Sequence, residues 1–405
     1  MRILVVCTWC PLPPFNGAKL RAHYLLGALS ARHDVTAVAF CGDDETGAAI
    51  VPAGGGAPVP LVRVAADPFR YTRLPQWAKF LSPVPTSLWS IPEMRNAVRQ
   101  QLHGGAYDAI VAMETSAARY ALLQDGAVPI LDVDTALAFQ MRARHLLQPG
   151  GLGRLRTWAS WRKAAWYEGA LLRRFPVCAV ASDREFAYLR GLLPSSGERL
   201  VVVPNGVDCT LLCPGLAAPR PVALVYNGAL TYSANYDAMQ YFLSAIYPRI
   251  RRAAPEVSLA ITGSTRGVDL DGLALDESVR LTGYVDDIRP VVAGSRVCVV
   301  PLREGGGTRL KILEAMALGT PVVSTAKGAE GLDVVGGEHL LLADDAEQFA
   351  ALTVTLLRDG ALRERLTANA RRLVEQRYDW RAIGEGFVGI VEAAVERGKG
   401  ARRHG

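Results

Sequence analysis

The chain has 405 residues, half of them hydrophobic and 21% charged, with 45 Lys and Arg against 39 Asp and Glu for a net charge of +6. That length predicts two domains of about 150–200 residues each, and no apolar run reaches the ~20 residues of a membrane span, which excludes a transmembrane helix. The few apolar residues after Arg2 argue against a secretory signal, so the expected compartment is the cytoplasm. The basic balance favours nucleotides, phosphorylated lipids or a membrane surface, with no motif for nucleic acid.

In chain order, "ILVV" predicts a first strand and Ala18 to Leu29 a helix; "DVTAVAF", "YDAIVAM", "VPILDVD", "VCAVASD" and "LVVVPNG" predict further strands. Strand–helix alternation implies right-handed crossovers and a parallel sheet. Residues 209–221, "CTLLCPGLAAPRP", read as a linker. The alternation then restarts: "ALVYNG", a long helix from Asn235 to Ala253, then "VSLAITG", "VRLTGYV", "VCVVPL" and "PVVST" as strands. From Trp380 to Arg397 the apolar residues Ile383, Phe387, Ile390, Val391 and Val395 keep near-helical spacing. The expected organisation is an N-terminal Rossmann-like domain over 1–208, the linker, a second such domain over 222–379, a helix over 380–397 and a basic tail over 398–405. Ligands of open parallel sheets sit beyond the carboxyl ends of the strands, so two such domains facing each other would form a cleft.

The chemistry concentrates in "VVPLREGGGTRLKILEAMALGTPVVST", Val299 to Thr325. A buried strand ends, Gly305, Gly306 and Gly307 allow close backbone approach, and a helix starting near Thr308 offers unpaired N–H groups suited to a diphosphate. Arg309 and Lys311 oppose the helix dipole in the first turn unless an anion sits between them. Leu310, Leu313, Met316 and Ala317 form the apolar face; Lys311 and Glu314 lie about 60° apart on another. The competing reading is a solvated charged edge on a core helix. At the other end of the chain, Asp132 and Asp134 in "ILDVDTA" end a strand. There a carboxylate could orient or deprotonate a hydroxyl, or could equally cap the next helix; Glu114 in "AMETS" is a weaker case of the same kind.

"GGGTRLKILEAMALGTPVVST" resembles the donor-binding segment of the retaining GT-B glycosyltransferases of family four, the glycosyl transferases group 1. "VVVPNGVD" is similar to the end of that family's N-terminal domain and "YNGALTYSANYDAMQYF", with Gly228, to the start of its C-terminal domain. "VRLTGYVDDI", with Tyr284 and Val285, resembles its loop beside the nucleobase, and "RYDW" precedes its returning helix. "PLPPFNGAKLRAHYLLGAL" resembles its first glycine loop and helix. The resemblance implies an α/β GT-B fold: two Rossmann-like domains facing a central cleft, the C-terminal helix returning to the N-terminal domain. It also implies transfer of a sugar, with retention, from a nucleotide-diphosphate sugar to a lipid-linked or saccharide acceptor hydroxyl.

By position, Glu314 matches the second glutamate of the E-x7-E motif, which binds ribose hydroxyls. The first falls at Gly306 and is missing, leaving Glu304 as a substitute two residues earlier. The Arg and Lys that the family often carries after the first strand of this domain read here as Ala229 and Ala234 or Asn235, with Arg309 and Lys311 as replacements holding the diphosphate together with Thr308 and the glycines. Gly17 permits close approach near the donor phosphates, and Arg21, one turn on, is expected to reach the same site. Asp134 is the expected acceptor-side catalytic carboxylate. Protein cations take over phosphate neutralisation, so neither metal nor cofactor is expected. The alternatives are a nucleotide-sugar epimerase on the same fold and a degenerate, non-catalytic nucleotide-sugar-binding protein. No G-x-G-x-x-G follows a predicted strand to support an oxidoreductase.

The segment 154–174 mixes Arg and Lys with Trp158, Trp161, Trp166 and Tyr167. It suits peripheral contact with an anionic membrane, but the favoured expectation packs Trp158, Trp161, Ala165 and Leu172 inward. The aromatic stretch 69–89 is expected on the acceptor-side wall. Cys7 and Cys10 form a C-x-x-C, yet Cys7 ends a strand and Pro11, Pro13 and Pro14 bar a helix, against a redox role. A four-cysteine zinc site with Cys209 and Cys213 is the less favoured option, and buried free thiols the simpler one.

Overall fold

The computed structural model describes all residues except 15, 43–48, 52–56, 70–72, 83, 125, 194–196, 219, 221 and 404–405. Two expected linker positions, parts of the 69–89 stretch and the end of the basic tail thus lie outside the described residues. The chain divides into two compact units, Met1–Asn205 with Arg381–Gly405, and Gly206–Trp380.

The first unit is built on β1 (Arg2–Cys7), β2 (Asp34–Phe40), β3 (Ala49–Ile50), β4 (Val59–Val64), β5 (Ala109–Met113), β6 (Val128–Asp132), β7 (Val177–Val180) and β8 (Leu200–Val202), in the order β3-β4-β2-β1-β5-β6-β7-β8. All pair in parallel except β3, antiparallel to β4. Strands β3 and β4 escaped the sequence reading, because β3 has only two residues and "VPLVRV" carries a proline and is fully buried only at its two ends. Around the sheet lie α1 (Gly17–Ser30), α2 (Gln76–Leu81), α3 (Pro92–His103), α4 (Leu137–Leu146), α5 (Leu152–Leu172) and α6 (Asp183–Leu192). The core runs through Leu4, Val6, Ile110, Leu131, Leu172 and Phe175, all fully buried.

The second unit carries β9 (Ala223–Asn227), β10 (Ser258–Thr262), β11 (Val279–Gly283), β12 (Val297–Val300), β13 (Val322–Ser324) and β14 (Leu341–Leu342), all parallel, in the order β11-β10-β9-β12-β13-β14. The long helix expected from Asn235 is α7 (Ser233–Tyr241), a π-helical turn over Phe242–Ile246 and α8 (Tyr247–Ala253), with Pro248 in the first turn of α8. Then follow α9 (Arg289–Ala293), α10 (Leu310–Ala317), α11 (Ala346–Arg358) and α12 (Gly360–Arg377). The last helix, α13 (Trp380–Arg403), clusters with the first unit from Arg381 onward. The basic tail, expected to be separate after Arg397, continues this helix to Arg403: Lys and Arg propagate a helix readily, and Lys399 pairs with Asp108 at 2.7 Å.

The start of α4 is held in an unusual way. Its N-cap, Ala136, offers no side-chain cap. Glu168 of α5 instead accepts from the amides of Leu137 and Ala138 at 3.0 and 2.9 Å, and Glu185 of α6 accepts from Ala136 at 3.0 Å. Both carboxyls are buried, and burial pushes Glu168 up to about 7 from an ordinary 4.5, partly offset by those amides. Glu185, Asp134 and Glu114 are raised by burial too. A raised carboxyl contributes stability that is full below its unfolded value and is lost as pH climbs through the folded one; for Glu168 the loss is on the order of 3 kcal/mol. Thermal stability should therefore fall as pH rises from 5 to 8. Glu168→Gln should start lower at pH 5, having one acceptor oxygen for two amides, but fall less steeply. Identical slopes in melting curves of the two proteins would refute this account.

Candidate active site

Each sheet has one place where the chain reverses direction across it, and ligands of open α/β sheets gather there, beyond the strand ends. In the second unit the reversal lies between β9 and β12. Beyond β9 come Gly228 and Ala229; beyond β12 come Pro301 to Gly307 and α10. Lys311, in the first turn of α10, donates to Tyr226 Oη and Asn235 Oδ1, both at 2.8 Å, and its ammonium lies 4.1 Å from the Tyr226 ring centroid. Tyr226 in turn donates to Asn235 Oδ1 at 2.6 Å. Burial pulls the Lys311 ammonium down to about 7; Cys298 opposes this, Arg309 adds to it, and Glu314 opposes it least. A buried, half-titrated lysine at a strand-end crevice is poised to gain a proton when an anion arrives. A Cβ on Gly228 would stand 2.6 Å from its Nζ, so a side chain there would push the ammonium off its acceptors.

The glycine loop turns through left-handed backbone at Gly305 and Gly307, with φ of 96° and 80°. Its geometry is held by Arg309, expected as a phosphate ligand. The structure turns this buried guanidinium back on the loop: Nη1 donates to Gly306 O at 3.1 Å, and Nη2 to Gly305 O and Lys327 O at 3.0 and 3.3 Å. The reason is local, since three carbonyls left without strand or helix partners converge on a planar donor. The helix itself begins at Leu310, with Arg309 at its N-cap, rather than near Thr308; Thr308 is half-buried and its carbonyl accepts from Leu310 at 3.0 Å. The apolar face of α10 is wider than expected, with Ile312 and Ala315 buried beside Leu313, Met316 and Ala317.

Glu314 lies one turn beyond Lys311 and accepts from Asn227 Nδ2 at 2.8 Å; burial raises its carboxyl and that bond lowers it. Glu304 sits half-buried at the loop entry, next to Arg303, which forms a two-pronged ion pair with Asp237. Gly306 has open space where a side chain would stand. Tyr284 and Val285 follow β11, Tyr284 well exposed; Gly263 N bonds Gly283 O at 2.9 Å and Gly228 N bonds Thr262 O at 3.3 Å, which links their loop to the Gly228 turn. Lys311, Glu314, Gly228 and the glycine loop are thus brought together, with Tyr226, Asn227 and Asn235 as partners that the sequence reading did not assign. Their signal was available: three polar side chains, two ending a buried strand and one opening the next helix.

In the first unit the reversal lies between β1 and β5. Gly17 opens α1, whose N-cap Asn16 accepts from Lys19 N at 3.0 Å. Arg21, expected to reach donor phosphates, is instead only 1% exposed. It makes a two-pronged bond to Asp132 at 2.6 and 2.7 Å and donates to Asn205 Oδ1 and Pro204 O at 3.0 and 3.2 Å. A carboxylate buried at the end of β6 requires a paired cation, and Arg21 is that cation. Asp132 and Asp134 do not cap α4, whose amides go to Glu168 and Glu185. Asp134 takes Asn205 Nδ2 at 3.2 Å and stands 4.0 Å from Arg21 Nε. Asp134 and Glu114 are the two non-glycine residues with positive φ among the described residues, 52° and 72°. Glu114 accepts from Trp9 Nε1 at 2.8 Å, and burial, then Asp134, push it up to about 8. Trp9 was not singled out in the sequence.

None of the seven cysteines is in a disulfide, and six of them are buried. Burial pushes the Cys7 thiol far above its usual range and Cys209 up to about 11, so neither is a ready thiolate.

Two doubly wound α/β units with a glycine loop and buried lysine at the reversal point of the second define the GT-B class of glycosyltransferase. The glycosyl transferase 4-like domain model matches residues 16–206 and the glycosyl transferases group 1 model residues 221–359. The chain belongs to this family. It is 30% identical over 220 residues to phosphatidyl-myo-inositol mannosyltransferase of Mycobacterium leprae, covering 52% of this chain and 58% of that protein. It is 28% identical over 263 residues to glycogen synthase of Mycobacterium tuberculosis, covering 58% and 60%. The chain thus spans about three fifths of these relatives' lengths. The fold is shared with sucrose-phosphate synthase from Thermosynechococcus elongatus, TM-score 0.72, 19% identity, 97% and 99% coverage. It is shared also with Anabaena HepE in complex with UDP and glucose, TM-score 0.66, 16% identity, 97% and 100% coverage.

Proposed function

We propose that the chain transfers a sugar from a nucleotide-diphosphate sugar to an acceptor hydroxyl, with retention and without a metal, in the synthesis of a glycan or glycolipid. The observation that carries this reading is Lys311, its ammonium buried at the strand-end crevice beside the glycine loop and held by the neutral oxygens of Tyr226 and Asn235. An incoming diphosphate would restore its proton and be neutralised by it as the bond from C1 to the phosphate oxygen breaks. Glu314 receives the ribose hydroxyls, the Tyr284–Val285 loop flanks the base, and loop amides and Thr308 meet the phosphates. Glu304 faces the donor sugar in place of the absent glutamate. Transfer is front-faced: the acceptor oxygen bonds C1 on the side the diphosphate leaves, and its proton passes to the departing phosphate oxygen. Asp134, with Glu114 beside it, orients the acceptor hydroxyl. The proposal of metal independence rests on Lys311 supplying the positive charge. The UDP and glucose in HepE and the mannosyltransferase relative support a nucleotide donor and a saccharide or lipid-linked acceptor. The protein acts in the cytoplasm, and a lipid-linked acceptor would suit peripheral contact with an anionic membrane.

The test incubates the folded protein with UDP-, GDP-, ADP- and TDP-sugars in the presence of a chelator. Nucleotide diphosphate release is followed, and the anomeric configuration of the product is read by NMR. Release with retention is expected for at least one donor; no binding to any of them sinks the proposal.

A further inference from the structure

The helix α5 is apolar on two opposite sides. Toward the protein it buries Ala164, Ala165, Leu171 and Leu172. At about 100° per residue, Leu152, Leu155, Trp158, Arg162 and Trp166 fall on one outward stripe, and all five are exposed, Leu152 to 86%, Trp158 to 47% and Trp166 to 72%. Of the four residues expected to pack inward, Ala165 and Leu172 are buried and Trp161 is half-buried, its indole bonded to Tyr188 Oη at 2.7 Å, whereas Trp158 turns outward. The turn from α4 adds exposed Leu146 and Leu147. Between Leu137 and Tyr167 there are six Arg and Lys and no Asp or Glu.

A second element is fastened to the same helix. Lys163 Nζ, at the border of the stripe, donates to the carbonyls of Phe80 and Ser82 at 3.0 and 2.8 Å, closing the end of α2. Helix α2 exposes Trp77, Phe80 and Leu81, and no Asp or Glu occurs from 68 to 92. Soluble surfaces rarely gather large apolar and aromatic side chains this way without a partner. Aromatic rings beside unopposed arginines match the boundary between acyl chains and anionic headgroups.

We propose that α5 and α2 form a docking face for an anionic lipid bilayer. The proposal rests on the transferase reading for its purpose, delivery of a membrane-held acceptor, but not for its test. The full chain is co-sedimented with phosphatidylcholine vesicles with and without phosphatidylglycerol. Binding is expected only, or at least about tenfold more strongly, with the anionic lipid, and should weaken in high salt. The triple variant Arg154→Gln, Arg156→Gln, Arg162→Gln should lose about fivefold per cation, and Trp158→Ser with Trp166→Ser about tenfold. All five positions are exposed, so melting curves should not move. No binding by the wild type, equal binding to both vesicles, or variants that bind like the wild type overturns the proposal. So does a second copy as occupant, seen as a wild-type dimer that the tryptophan variant makes monomeric with no change in vesicle binding. Donor turnover does not enter these readouts, so either reading can fail alone.

Discussion

Replacing Lys311 with methionine is expected to lower turnover by about 10²–10³-fold and to flatten the pH dependence of nucleotide diphosphate binding. The first figure is what removing one preorganised charge from a developing anion costs. The second follows from the depressed ammonium of the free protein, which titrates near 7. A bound diphosphate favours the charged form, so binding takes up a proton and affinity falls as pH rises from 6 to 8. Methionine fills the space without titrating, so calorimetry should show no proton uptake at this position. Gly228→Ala approaches the same ammonium from the other side and should reproduce part of the loss, because the Tyr226 and Asn235 acceptors fix Nζ where the new methyl would stand. If Lys311→Met kept the pH profile and most of the turnover, another group would be neutralising the leaving diphosphate.

Much of the fold could be read from the chain because buried parallel strands are continuous apolar runs, as in "ILVV" and "VCVV", and only a parallel sheet accommodates them with helices between. Strands β3, β4 and β14 were missed because they lie at or near sheet edges, two of them only two residues long and β4 interrupted by Pro60 and Arg63. The glycine loop was legible because three glycines after a strand have few other uses. What could not be read was the direction in which long cations turn. Arg21, Arg309 and Lys311 looked alike as candidates beside an anion. Burial and the nearest acceptors separated them: a carboxylate for Arg21, backbone carbonyls for Arg309, two neutral oxygens for Lys311. Neutral acceptors leave a lysine's charge unspent, whereas a carboxylate pair does not. The left-handed backbone at Glu114 and Asp134 was equally hidden, since neither residue type demands it.

Arg309→Ala and Arg309→Lys are expected to fail to the same degree, each lowering kcat/KM for the donor by about 10–100-fold. A residue that contacted phosphate as a charge would be rescued substantially by lysine, which binds phosphate as a point charge. Arg309 instead spreads two nitrogens across Gly305 O, Gly306 O and Lys327 O, and one ammonium cannot reproduce that planar fork. Without it, Gly305 and Gly306 lose the contacts that hold their carbonyls, and the loop amides proposed to meet the diphosphate lose their direction. A shift of about 1 Å in such donors is enough for a loss of this size. Hydrogen exchange over 305–310 should quicken in both variants, whereas loss of a phosphate ligand alone would leave exchange in the free protein unchanged. Full recovery by lysine with unaltered exchange would return Arg309 to the role its sequence position first suggested.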